Sequence, residues 1–255
     1  MHSGDTVTDS LGRSWQVGQP LGRGLWGGSW VLSSPGLGER VVKIAHARTD
    51  FPSDARLPDG LERACAQCVE EQASLLRRAS HPFLPRLEDR VTIMGRPALI
   101  LPRYATTLAA RLADGEPLGT LTATLARVAE YIETMSGTNE AHGNLRPTNI
   151  FIKEDGQPVL ADILTPTAAE WRQRLASLSP ARQSILPPEA ADLPTTRWDT
   201  WAICSSLYHA ATWQPSATDL RINHEFGAPQ GGLDKVELAS VKDRSLKRLK
   251  AEGAN

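Results

Sequence analysis

The chain has 255 residues, enough to bury a substantial core as one or two lobes, and 40% of them are hydrophobic against 22% charged, the balance of an ordinary globular protein. Lys plus Arg total 28 and Asp plus Glu 29, so a net charge of -1 offers no global footprint for nucleic acid or an anionic membrane. No apolar run is long enough to span a bilayer, and Met1-His2-Ser3-Gly4-Asp5 has neither a basic n-region nor an apolar h-region. With three cysteines, an odd number, the expected compartment is a reducing cytoplasm.

Residues 13–45 read as strands broken by glycines. Trp15 to Leu21 and Ser29 to Leu32 flank the Gly-rich turn Gly22-Arg23-Gly24-Leu25-Trp26-Gly27, and Val41 to Ala45 follow a second turn at 33–38. After a loop with Pro52 and Pro58, Asp59 and Glu62 have the spacing of a capping box. Leu61, Cys65, Cys68, Gln72, Leu75, Leu76 and Ala79 then recur at helical spacing, up to His81-Pro82. Val91–Met94 and Ala98–Leu101 form an expected hairpin around Gly95-Arg96-Pro97.

Leu121, Leu125, Val128, Ile132 and Met135 mark a long amphipathic helix. Two short apolar runs bracket the turn Glu154-Asp155-Gly156-Gln157-Pro158. A Pro-rich irregular segment runs to about Thr196, and Trp201, Cys204, Leu207, Tyr208 and Ala211 suggest a further buried helix. The last stretch is polar and resists assignment. Strands with one helix first, then mostly helices, describe two unequal lobes of an α+β fold.

Several features carry chemistry by residue type alone. Without Cβ atoms, Gly22, Gly24 and Gly27 let a backbone turn tightly and bring N–H groups close to phosphates. Lys43 interrupts an otherwise apolar strand, which favours a ligand over a merely solvated lysine. Cys65-x-x-Cys68 lies on a helix face with no second Cys or His pair nearby, so a packed core outweighs a metal site. The basic tail Lys242, Arg244, Lys247, Arg248 and Lys250 reads as a solvated helix or linker.

In this order the motifs resemble the eukaryotic-type protein kinase fold, including its many bacterial members, over roughly residues 13 to 212. The resemblance implies a bilobal kinase-like fold, with a β-rich N-lobe carrying one main helix and a mostly helical, short C-lobe. Its boundaries would be an extension at 1–12, an N-lobe at 13–104, a C-lobe at 105–230 and a polar tail at 231–255. Gly22, Gly24 and Gly27 would cover ATP phosphates, with Trp26 at the loop tip, and Lys43 would hold the α and β phosphates. Gln72 falls where the helix glutamate that pairs with this lysine belongs; Glu71, one residue earlier, points about 100° away. In Leu101-Pro102-Arg103-Tyr104, the Pro102 carbonyl and the Tyr104 N–H would meet adenine, and a linker that binds nothing fits as well.

His142-Gly143-Asn144-Leu145-Arg146-Pro147-Thr148-Asn149 is similar to the catalytic loop His-Arg-Asp-Leu-x-x-x-Asn with its base replaced. A carboxylate can take the proton of an attacking hydroxyl; the neutral amide of Asn144 is not a useful base. Arg146 stands for the loop lysine, and Gly143 for the arginine that reads a phosphorylated activation loop. Asn149 and Asp162, the latter in Asp-Ile-Leu for Asp-Phe-Gly, would ligate Mg2+. Ile163 can keep the packing role of the Phe, while Leu164 forgoes the conformations open to Gly. Leu186-Pro187-Pro188-Glu189 is similar to Ala-Pro-Glu, and Asp199 to the buried aspartate that braces the catalytic loop.

Three readings follow. The first is a pseudokinase that binds ATP and magnesium and serves signalling as a regulatory or scaffold module through protein partners, leaning away from an enzyme. The second is an atypical or weakly active ATP-dependent protein phosphotransferase. The third is an interaction module with a kinase fold and no nucleotide.

Overall fold

A computed structural model describes residues 1–212 apart from 25, 52, 54–56, 80, 137–140 and 172–195. The motif Leu186–Glu189 and the tail therefore lie outside the described residues. The chain divides into two compact units. One comprises residues 1–103 and the segment from Leu164; the other runs from Tyr104 to Ile163 and takes in the helix beginning at Thr196.

The first unit is built on a six-stranded antiparallel sheet. Its strands are β1 (Thr6–Thr8), β2 (Ser14–Arg23), β3 (Gly27–Ser34), β4 (Gly38–Ala45), β5 (Asp89–Ile93) and β6 (Arg96–Pro102), in the order β1-β2-β3-β4-β6-β5. Period-two alternation turns Trp15, Val17, Leu32, Val42, Ile44 and Ile100 into one buried cluster. The segment set apart by the sequence as an extension supplies β1. Val7 enters the core, and buried Asp9 accepts from the indole Nε1 of Trp15 and from the backbone and side chain of Arg13. That acceptor satisfies the one polar atom Trp15 carries inward.

Helix α1 (Leu61–Arg78) packs on β4 and β6. Its buried face is Leu61, Ala64, Cys65, Cys68, Val69, Gln72 and Ala73, close to the stripe read from spacing. The capping box does not form. The helix starts after Gly60, which is left-handed at φ 79, and Glu62 instead accepts from the Arg48 N–H. Burial pushes the Cys65 and Cys68 thiols up to about 12, so both behave as core side chains.

In the second unit a three-stranded sheet has the order β7 (Thr106–Thr107), β8 (Ile150–Ile152), β9 (Pro158–Leu160). Helix α2 (Leu108–Ala113) is capped by Thr107, whose hydroxyl accepts from the Ala110 N–H at 3.1 Å. Helix α3 (Leu118–Ser136) buries Leu121, Leu125, Val128 and Ile132, the expected stripe. The β8–β9 turn closes through left-handed Gly156, whose N–H reaches the Lys153 carbonyl. A helix, α4, begins at 166 in the first unit and is described as far as 171, and α5 (Thr196–Thr212) packs against α3.

Two local expectations are corrected. On α5 the inward face carries Asp199 and Ser206, while Trp201, Cys204 and Leu207 are exposed. Buried hydrogen bonds to Asp199 set the rotation of that helix, and the apolar spacing does not. In the β5–β6 hairpin the turn residues are Met94 and Gly95, and Arg96 and Pro97 already pair with β5. Both turn residues have positive φ, 52 and 74, the requirement of a type I′ turn. Met94 is 70% exposed and contributes little packing there. Asparagine tolerates this backbone better, so Met94→Asn should raise stability by roughly 0.5 kcal/mol or more. Urea denaturation checks this.

Candidate functional site

The predicted phosphate turn is tied to the end of β4. The Gly24 N–H donates to the Gly27 carbonyl at 2.8 Å, and the Gly24 carbonyl lies 2.9 Å from His46 Nε2. The His46 N–H in turn donates to the Trp26 carbonyl at 3.0 Å. The Trp26 side chain is buried, not presented at a loop tip. The glycines serve different ends. A Cβ on Gly27 would sit 2.4 Å from the Ile44 carbonyl oxygen, so that glycine permits close strand approach. A Cβ on Gly22 would meet nothing within 4 Å, which leaves its absence to be explained by something other than packing.

Lys43, on β4 opposite Ser29 and Leu99, is buried. Gln72 is buried one helical turn beyond Cys68 on α1, and the Lys43 ammonium acts on the Cys68 thiol, opposing the upward push of burial. Lys43 and Gln72 thus stand on packed elements of one unit. Pro102 closes β6 opposite Arg40, while the Tyr104 ring packs against Phe151 in the second unit, centroids 5.7 Å apart.

The second unit gathers Asn144, Arg146, Asn149 and Asp162 into one network. Asn144 Nδ2 donates to the Asp162 carbonyl at 2.8 Å, and Arg146 Nη2 donates to Asn144 Oδ1 at 3.1 Å. Asn149 Nδ2 donates to the Asn144 carbonyl at 2.8 Å, and the Ala161 N–H to the Asn149 carbonyl at 2.9 Å. Asp162 is left-handed, φ 61, a state that Asp tolerates better than most residues. Leu164 therefore need not adopt a glycine conformation, and the two buried side chains that follow, Ile163 and Leu164, are simply apolar packing.

Asp199 braces the start of this loop. Its two carboxylate oxygens accept from the His142 N–H at 2.7 Å and the Gly143 N–H at 2.9 Å. The sequence-level expectation for Asp199 is met by this geometry. Burial pushes the carboxyl up to about 6, against the two N–H bonds that favour its charge.

One feature escaped the sequence reading. Thr165-Pro166-Thr167 opens α4 inside the segment read as irregular: the Thr165 hydroxyl accepts from the Ala168 N–H at 3.3 Å, with Pro166 at the first helical position. A threonine followed by proline is a helix-start signal that could have found it. Glu71, dismissed as pointing away from Lys43, accepts from the Thr167 N–H at 3.1 Å and the Thr167 hydroxyl at 2.6 Å. Burial works to raise the Glu71 carboxyl, but hydrogen bonds from Thr167 and Thr165 outweigh it and hold it below its ordinary value. Its charge also faces the N-terminal turn of α4. Among the described residues no cluster of three or more His, Cys, Asp or Glu side chains could hold a metal.

The brace can be tested directly. Asp199→Asn replaces one acceptor with an NH2 that faces a backbone N–H, so it should destabilise by roughly 1–3 kcal/mol although it removes a buried charge. Because the folded carboxyl binds its proton more tightly than an unfolded one, the wild-type advantage over Asp199→Asn should shrink as pH rises from about 4 to about 6 and then level off. Urea unfolding of both proteins across that range reads it.

No protein-family model matches the sequence, and no curated protein does. Solved structures do. A point mutant of the kinase domain of PknI from Mycobacterium tuberculosis is 18% identical, across 84% of this chain and 78% of its own, with a TM-score of 0.54. PpkA-294 in its apo form is also 18% identical, across 89% of this chain and 84% of its own, with a TM-score of 0.61. With the sheet-rich first unit and its long helix α1, the loop braced by Asp199 and these two likenesses, the chain has a protein-kinase-like fold.

Proposed function

We propose that this chain is a pseudokinase: a domain that binds ATP with magnesium and acts on a protein partner as a regulatory or scaffold module, without efficient phosphoryl transfer. The observation that carries the reading is the state of Asn144. The side chain standing where the fold's general base belongs is a neutral amide, with its nitrogen on the Asp162 carbonyl and its oxygen on Arg146. Loss of a general base lowers rate by roughly 10²–10⁴, while positioning and binding can persist.

Lys43 would hold the α and β phosphates, and Asn149 with Asp162 would hold the metal. The fit of Asn149 is chemical: its Nδ2 is committed to the Asn144 carbonyl, which leaves Oδ1 as the atom for a hard cation. A bound Mg2+ would neutralise phosphate charge. Pro102 and Tyr104 would flank adenine.

A second reading, an interaction module that takes no nucleotide, is favoured by the glycine-rich turn. The Gly24 N–H is already engaged by Gly27, and Trp26 is buried.

Thermal unfolding with ATP, with and without Mg2+, separates the two. The pseudokinase reading expects stabilisation of about 2.7 kcal/mol when ligand stands at 100 times its dissociation constant, abolished in Lys43→Met. It also expects labelled-phosphate transfer no greater than that of Lys43→Met. Absence of any shift at millimolar ATP favours the second reading, and strong transfer that Lys43→Met removes would make the chain a phosphotransferase.

A further inference from the structure

Position 144 is more than an empty place in a catalytic loop. An asparagine side chain carries one donor group and one acceptor, whereas an ionised aspartate carries acceptors alone. Both halves of the Asn144 amide are in use, the donor on the Asp162 carbonyl at 2.8 Å and the acceptor on Arg146 at 3.1 Å. The backbone of the same residue is held as well. Its N–H donates to His142 Nδ1 at 3.3 Å, and its carbonyl accepts from Asn149 Nδ2. Side chain and main chain therefore cannot reorient independently.

The carbonyl on which the amide closes belongs to a residue in left-handed conformation. Such a backbone persists where its surroundings over-determine it. Two of the bonds that hold it are the Asn144 amide on the Asp162 carbonyl and the Ala161 N–H on the Asn149 carbonyl, one after and one before the Asp162 α-carbon along the chain. The Asp162–Ile163 peptide is thus held within this unit from both directions along the chain.

We propose that Asn144 is a positioning residue, whose side-chain N–H fixes the Asp162 peptide, and that an aspartate at 144 would break this loop and not restore a working kinase. One aspartate oxygen could keep Arg146. The other would face the Asp162 carbonyl oxygen at hydrogen-bond distance with no hydrogen between them. The change from base to amide is then held in place by the rest of the loop. This inference does not rest on nucleotide binding, and its first two readouts contain none.

The test uses the full chain and the variants Asn144→Asp and Asn144→Ala. Asp162-Ile163 is the one Asp-Ile pair in the sequence, so labelling Asp with carbonyl 13C and Ile with 15N isolates a single peptide signal by NMR. Loss of the donor should move that 13C signal upfield in both variants. Alanine removes a hydrogen bond; aspartate adds repulsion. Melting temperatures should therefore fall in the order wild type, Ala, Asp, with the Asp variant lower than wild type by about 2–4 °C or more. Phosphate transfer from labelled ATP should remain at background in Asn144→Asp. An Asp variant that melts with wild type, an Asp162 carbonyl signal unmoved in Asn144→Ala, or a gain of transfer in Asn144→Asp would each overturn the proposal. Should the Asp variant fail to fold, the carbonyl signal of the Ala variant decides.

Discussion

Two buried hydrogen bonds from backbone N–H groups to one carboxylate organise the chemistry-bearing part of this protein. Asp199, on α5, takes the N–H groups of His142 and Gly143, adjacent buried residues of the loop. Those donors would otherwise be buried without acceptors, a penalty of about 1–3 kcal/mol each. With His142 and Gly143 anchored, Asn144 is delivered to a defined place, and through it Asn149 and Asp162 are joined. The brace works against desolvation strong enough to push the carboxyl up to about 6, so it is maintained at a cost.

What the loop can do follows from which atoms that arrangement leaves available. The side chain at 144 supplies no proton acceptor, because its oxygen is on Arg146 and its nitrogen is a donor. Asn149 and the carboxylate of Asp162 retain oxygen chemistry suited to a hard cation. In the first unit, Lys43 is buried on β4, while Glu71 on α1 serves the start of α4. On the proposed reading, residues for binding and the residue for catalysis are separable in this fold, because fold alone does not fix function.

The legible parts of the sequence were those where one physical rule dominated. The α3 stripe of Leu121, Leu125, Val128 and Ile132 and the alternation of Trp15 with Val17 are periodic burial, and they read correctly. Asn144, Arg146, Asn149 and Asp162, picked out by their order, do converge in one hydrogen-bonded network. Where two rules competed, spacing misled. On α5, Trp201, Cys204 and Leu207 are exposed while Asp199 is buried against the loop it braces. Glu62 had the spacing of a cap, but a left-handed Gly60 begins the helix and the carboxylate serves Arg48. The role of Glu71 needed a tertiary partner 96 residues away, which no local pattern displays. The Asn144–Asp162 bond likewise joins a side chain to a backbone carbonyl, and carbonyls leave no mark in sequence.

The central claim is that a kinase-like loop has been re-knit around an amide while its ligand oxygens were kept. A crystal structure grown with a non-hydrolysable ATP analogue and magnesium tests it most directly. The account predicts phosphates on Lys43, the metal on Asn149 and Asp162, and Asn144 Nδ2 still on the Asp162 carbonyl. A structure in which Asn144 has swung away from Asp162, or in which nucleotide is absent at saturating concentration, would contradict it.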